Sequence, residues 1–143
     1  MKSLLFLILS ISLAAFAIVA LAGETEYFAK DNEQLYGTWI NMDYDTRPPQ
    51  KLVYNPDGTA WSSMIANSKK PMWRIKYLIT GKWEDSKGNI MYKSHWVGDW
   101  GEEAFQLSRI SNSGNTLEYM FSNDDYPKEI VPEDFFYRKY TRK

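Results

Sequence analysis

The feature that most constrains this chain is a spacing. From Leu35 onward, β-rich runs of four to eleven residues alternate with clusters of turn-forming residues. The runs are WINMDYD, KLVY, TAWSSMIA, WRIKYLITGKW, IMYKSHWV, AFQLSRI, TLEYMF and FFYRKY, which predicts eight strands. No long apolar period of 3.6 residues interrupts them, so no helix of more than a few turns is expected. Asp57-Gly58, Gly88-Asn89 and Gly114-Asn115 fall at three of the joints. These residue types tolerate positive φ in tight turns, so neighbouring runs are expected to pair antiparallel as a meander.

Alternation assigns the faces. In the longest run Trp73, Ile75, Tyr77, Ile79 and Trp83 share one face, and Arg74, Lys76, Thr80 and Lys82 share the other. Its hairpin partner opposes Ile90, Tyr92, Ser94 and Trp96 to Met91, Lys93, His95 and Val97, and Leu117, Tyr119 and Phe121 group together later. A sheet with one dry face and no amphipathic helix to cover it must close into a barrel or pack as a sandwich. Closure also removes exposed strand edges.

At 143 residues the chain is sized for one domain. Its formal net charge of −1 does not suit nucleic-acid binding. Cysteine is absent, which excludes disulfides, a thiol nucleophile and cysteinyl metal sites. The beginning is of a different kind: Lys2, an apolar run from Leu4 to Ala22, and a closing Ala20-Leu21-Ala22. Residues 1–22 therefore read as a signal peptide with cleavage after Ala22, or as an uncleaved anchor giving a membrane tether through residues 4–22. Both place the working domain in an extracytoplasmic space, secreted or periplasmic. Residues 23–34 form a polar lead-in, and residues 35–143 are the domain.

Leu35-Tyr36-Gly37-Thr38-Trp39, the KLVYNPDGTAW and KWEDSKGNIMYK hairpins and the closing FFYRKY together resemble the lipocalin-like proteins of the calycin superfamily. The resemblance covers about residues 35–141 and implies an all-β, eight-stranded antiparallel up-and-down barrel. It also implies that Trp39 plugs the closed end and that Arg138, from the last strand, lies over its ring. The chain departs from the family in having no disulfide and only a short TRPPQ connection after the first strand.

Aromatic residues make up 16% of the chain, more than an aliphatic core needs, so flat side chains are expected to line either a packed core or a cavity. Trp61, Trp73, Tyr77, Trp83, Tyr92, Trp96, Tyr119 and Phe121 are the residues expected inside, where an eight-stranded barrel has room for side chains or one small ligand. The leading expectation is a small, mostly apolar or aromatic ligand, with no cofactor, no metal and no covalent chemistry. A barrel packed solid, binding a protein, glycan or lipid surface through its Trp96 to Trp100 loop or its WRIKY and YRKYTRK patches, is the second. A hydrolase or isomerase is the third, resting on His95, the single histidine, with Asp99, Glu102 or Glu103 to orient it. Asp43, Asp45 and the acidic residues of 123–134 have calcium-binding chemistry but fit no EF-hand spacing.

Overall fold

A computed structural model describes residues 32–41, 49–67 and 70–143. The apolar leader, most of the lead-in and Asp43 and Asp45 lie outside the described residues. The compact unit from Gln34 to Lys143 is a closed barrel. Its strands are β1 (Gly37–Asn41), β2 (Gln50–Tyr54), β3 (Thr59–Met64), β4 (Trp73–Glu84), β5 (Ile90–Gly98), β6 (Glu103–Ile110), β7 (Thr116–Ser122) and β8 (Arg138–Arg142). Every strand pairs antiparallel with its neighbours in sequence, and β8 returns to β1. One short 3-10 turn, Ile65–Asn67, follows β3.

The connections divide between the two ends of the barrel. Residues 55–58, 85–89 and 111–115 close one end with tight hairpins. In each, a glycine N–H bonds back to the carbonyl three residues earlier, at Asn55, Asp85 and Ser111, and the glycine itself takes the left-handed conformation. The second hairpin is further fixed by Asp85, whose carboxylate accepts from the Lys87 and Asn89 backbone and from Asn89 Nδ2. Among the described residues the opposite end carries 65–67 and 70–72, the four-residue turn 99–102 and the long connection 123–137. The last of these is long enough to fold back along the outside. There Tyr126 hydroxyl meets Thr80 Oγ1 at 2.6 Å and its ring packs on Phe105. Tyr137 donates to Glu118, which also holds Arg109.

Two departures from strict alternation redirect side chains. Between Ile79 and Gly81 the β4–β5 register shifts by one residue, with Thr80 as the extra residue. Parity reverses beyond this bulge, so Trp83 pairs with Met91 on the outer face and is 42% exposed. Lys82 takes the row of Tyr92, its ammonium 5.8 Å from the Tyr92 ring. On β6 both faces mix polar and apolar residues. Gln106 and Ser108 point inward and are buried, while Leu107 pairs with outward Met120 beneath the 123–137 connection, where Val131 N–H donates to Met120 Sδ.

The closed end is plugged by Trp39, which is fully buried and donates its indole N–H to the Leu35 carbonyl at 2.9 Å. Leu35, Leu52, Tyr54, Ile110 and Leu117 pack in the same core. Gly37 precedes the plug at φ +112°, a conformation that a side chain would strain, and this lets the chain turn into β1.

The guanidinium over the plug is that of Arg142, 4.2 Å from the Trp39 ring, and not that of Arg138. Strand register is the reason: Trp39 pairs with Arg142, whereas Arg138 pairs with Tyr119, four residues or about 13 Å further along β8. Arg142 donates to the carbonyls of Gly114 and Tyr36, each at 2.9 Å, and to that of Gln34. It thereby ties the segment before β1 to the β6–β7 turn. Charge-assisted hydrogen bonds and a cation–π contact over a fully buried ring make Arg142→Ala costly, about 2–4 kcal/mol, and more costly than Arg138→Ala, whose bonds run to the carbonyls of Phe135 and Tyr137, neither of them buried. Urea denaturation of the two variants checks this, and equal losses would contradict it.

Candidate functional site

The open end holds a cavity of about 330 Å³. Its wall is built where the inward rows of the barrel approach the long connections. β4 contributes Trp73 and Ile75, β5 contributes Trp96, and β7 contributes Tyr119 and Phe121. Polar groups come from Gln50 at the start of β2, Gln106 on β6, Arg138 and Tyr140 on β8, and Glu102 in the connection before β6.

The eight aromatics expected inside separate into three groups. Trp73, Trp96, Tyr119 and Phe121 line this cavity. Trp96 and Phe121 meet edge to face at 6.3 Å, and Tyr119 stacks on Tyr140 at 5.8 Å. Tyr77 and Tyr92 also point inward but lie deeper, toward the closed end. Tyr77 packs against Tyr54 and donates to the Asn55 carbonyl at 2.7 Å, and Tyr92 is fully buried. Trp61 and Trp83 are outside the wall. Trp61 pairs with outward Arg74 and carries the Lys51 ammonium 4.5 Å over its ring, and Trp83 is turned out by the β4 bulge.

Beneath the aromatic wall the interior is unexpectedly polar. Gln106 Nε2 donates to Ser108 Oγ at 2.6 Å and to the Tyr54 hydroxyl at 3.1 Å, and Tyr140 hydroxyl donates to Gln50 Oε1 at 3.2 Å. Apolar periodicity misses Gln106 because its strand sends polar residues inward. Gln50 is missed because it stands at a strand end, and Glu102, considered only as a partner for His95, lines the cavity while Glu103 holds His95. Arg138, expected at the plug, sits at the mouth instead, with Nη1 donating at 2.7 Å to the carbonyls of Phe135 and Tyr137 and the guanidinium 5.6 Å from the Phe121 ring.

His95 lies on the outer face, stacked on Phe105 at 4.9 Å and bonded through Nε2 to Glu103 at 2.9 Å. It does not reach the cavity. Among the described residues no group of three His, Asp or Glu side chains is placed to hold a metal ion. No protein-family model matches the chain, and no curated protein or solved structure matches it either.

Burial dominates the protonation of the inner phenols. Loss of hydration pushes Tyr92 up to about 12 and raises Tyr54, Tyr77 and Tyr119 further above the ordinary phenol value. These groups bind their protons more tightly when folded than when unfolded. Their stabilising contribution is therefore complete below about pH 10 and is lost as pH rises through the folded values. Alkaline titration followed at 295 nm should show the inner tyrosines ionising above about pH 12, together with loss of near-ultraviolet circular dichroism. Ionisation of all ten tyrosines near pH 10 in a folded barrel would contradict the assignment.

Proposed function

We propose that this barrel is an exported, lipocalin-like binding protein that holds one small, mostly apolar or aromatic molecule in its open end and performs no covalent chemistry on it. The observation that carries the reading is the 330 Å³ cavity, where Trp73, Trp96 and Phe121 present flat apolar surface beside a few polar groups. Sites for small molecules have this character, and the volume falls at the lower end of their usual range, about 300–1,000 Å³. In the deeper interior Gln106 bonds to Tyr54 and Ser108 without needing a ligand. His95, on the outer face, offers no support for a hydrolase or isomerase.

A second reading rests on a different observation. Trp100 is 93% exposed at the tip of the β5–β6 connection, and Phe135 is 74% exposed in the β7–β8 connection. Exposed aromatics at the mouth suit contact with another surface, as the interaction-module reading requires.

The test of the principal reading is a titration with a small apolar fluorescent probe. Trp96→Ala should weaken probe binding about tenfold or more by removing a wall of the cavity, whereas Trp61→Ala, on the outer face, should leave it unchanged. Equal affinity of both variants and the parent protein would remove the cavity reading. Loss confined to Trp100→Ala would favour the surface reading instead.

A further inference from the structure

We infer that the molecule held in the open end carries a positively charged amine, which Glu102 receives; the inference rests on the ligand-binding reading above. Glu102 lines the cavity alongside Trp73, Trp96 and Phe121. Its side chain folds back over Gly98 so closely that a Cβ there would lie 1.9 Å from Oε1. Any other residue at position 98 would displace the carboxylate. Glu102 Oε2 accepts the Trp100 N–H at 3.0 Å, which anchors the group through a neutral donor and leaves its charge in place. The ion pairs among the described residues are His95–Glu103 and Arg109–Glu118, and Glu102 takes part in neither.

The surroundings favour the same sign of charge. Aromatic faces are the negative regions of their rings, and a carboxylate beside them completes the environment that receives organic ammonium groups. The described residues of the three connections 65–72, 99–102 and 123–137 carry seven acidic side chains against Lys70 and Lys128. Five of these acids belong to the 123–137 connection, which runs back along the outside, so Asp99 and Glu102 are the two beside the cavity on the β5–β6 connection, with Lys70 and Arg74 near them. Arg138 is the opposing charge in the wall. Its Nη1 is directed to the Phe135 and Tyr137 carbonyls, and its guanidinium lies over the Phe121 ring, so it is engaged with the β7–β8 connection.

The experiment compares three probes that share one phenyl ring and differ in charge: phenethylamine, phenethyl alcohol and phenylpropanoate. Each is titrated at low salt into the purified protein, into Glu102→Gln and into Glu103→Gln, with binding read from tryptophan fluorescence. Phenethylamine should bind roughly fivefold more tightly than the alcohol, a preference of the size expected for a partly exposed ion pair, and phenylpropanoate should bind most weakly. Glu102→Gln should abolish the preference while leaving affinity for the alcohol intact, and Glu103→Gln, which faces outward beside His95, should alter neither. An amine that binds no better than the alcohol, or a preference that survives Glu102→Gln, overturns the charge assignment and leaves the cavity reading standing. Failure of all three probes to bind overturns both.

Discussion

The seam between β1 and β8 is the narrowest joint of the barrel, with register pairs only at Trp39–Arg142 and Ile40–Thr141. It is held by what converges on it. Trp39 fills the closed end, its indole N–H bound to Leu35, and Arg142 lies over its ring while bonding to carbonyls on both sides of the seam. Lys143 N–H continues the pairing to the Thr38 carbonyl. An eight-stranded sheet whose first and last strands failed to meet would expose two edges, and a domain without cysteine has no covalent means of holding them. The cation–aromatic stack and its hydrogen bonds thus reinforce the short β1–β8 pairing that closes the barrel.

Closing one end with Trp39 and three tight hairpins frees the other end to be different. At the other end the four-residue 99–102 turn and the long 123–137 connection carry Trp100, Phe135 and Phe136 exposed. Between the two ends the interior changes character. Leu35, Leu52, Ile110 and Leu117 pack around the plug, phenols and Gln106 form a hydrogen-bonded middle, and Trp73, Trp96 and Phe121 bound the open cavity. The interior thus runs from a sealed apolar core at one end to an open cavity with charged residues in its wall at the other.

Strand count, antiparallel order and the three hairpin turns were legible in the sequence because each depends on local properties, namely two-residue alternation and glycine at left-handed positions. Half of the expected inner aromatics line the cavity for the same reason. The exceptions have identifiable causes. Thr80, inserted as a bulge, reverses the facing of everything after it in β4, which moves Trp83 outside. Trp61 alternates with Ala60 and Ser62, small residues that take the inner positions. On β6 the outward Phe105 and Leu107 are sheltered by residues from the 123–137 connection and from neighbouring strands, so apolar character does not mark the inner row there, and Gln106 points inward with Ala104, Ser108 and Ile110.

The sequence by itself determined an all-β chain of eight paired strands with an indole at the start of the first, since alternation and turn chemistry act over a few residues. Only the tertiary structure decided which arginine covers that indole, which residues bound the cavity, and that Glu102 stands in its wall. Those outcomes depend on register between strands about a hundred residues apart and on a one-residue bulge, quantities that no local pattern encodes. Arg138 and Arg142 share the same strand face and the same side-chain chemistry; their distance along β8 from the partner of Trp39 gives one the plug and the other the mouth.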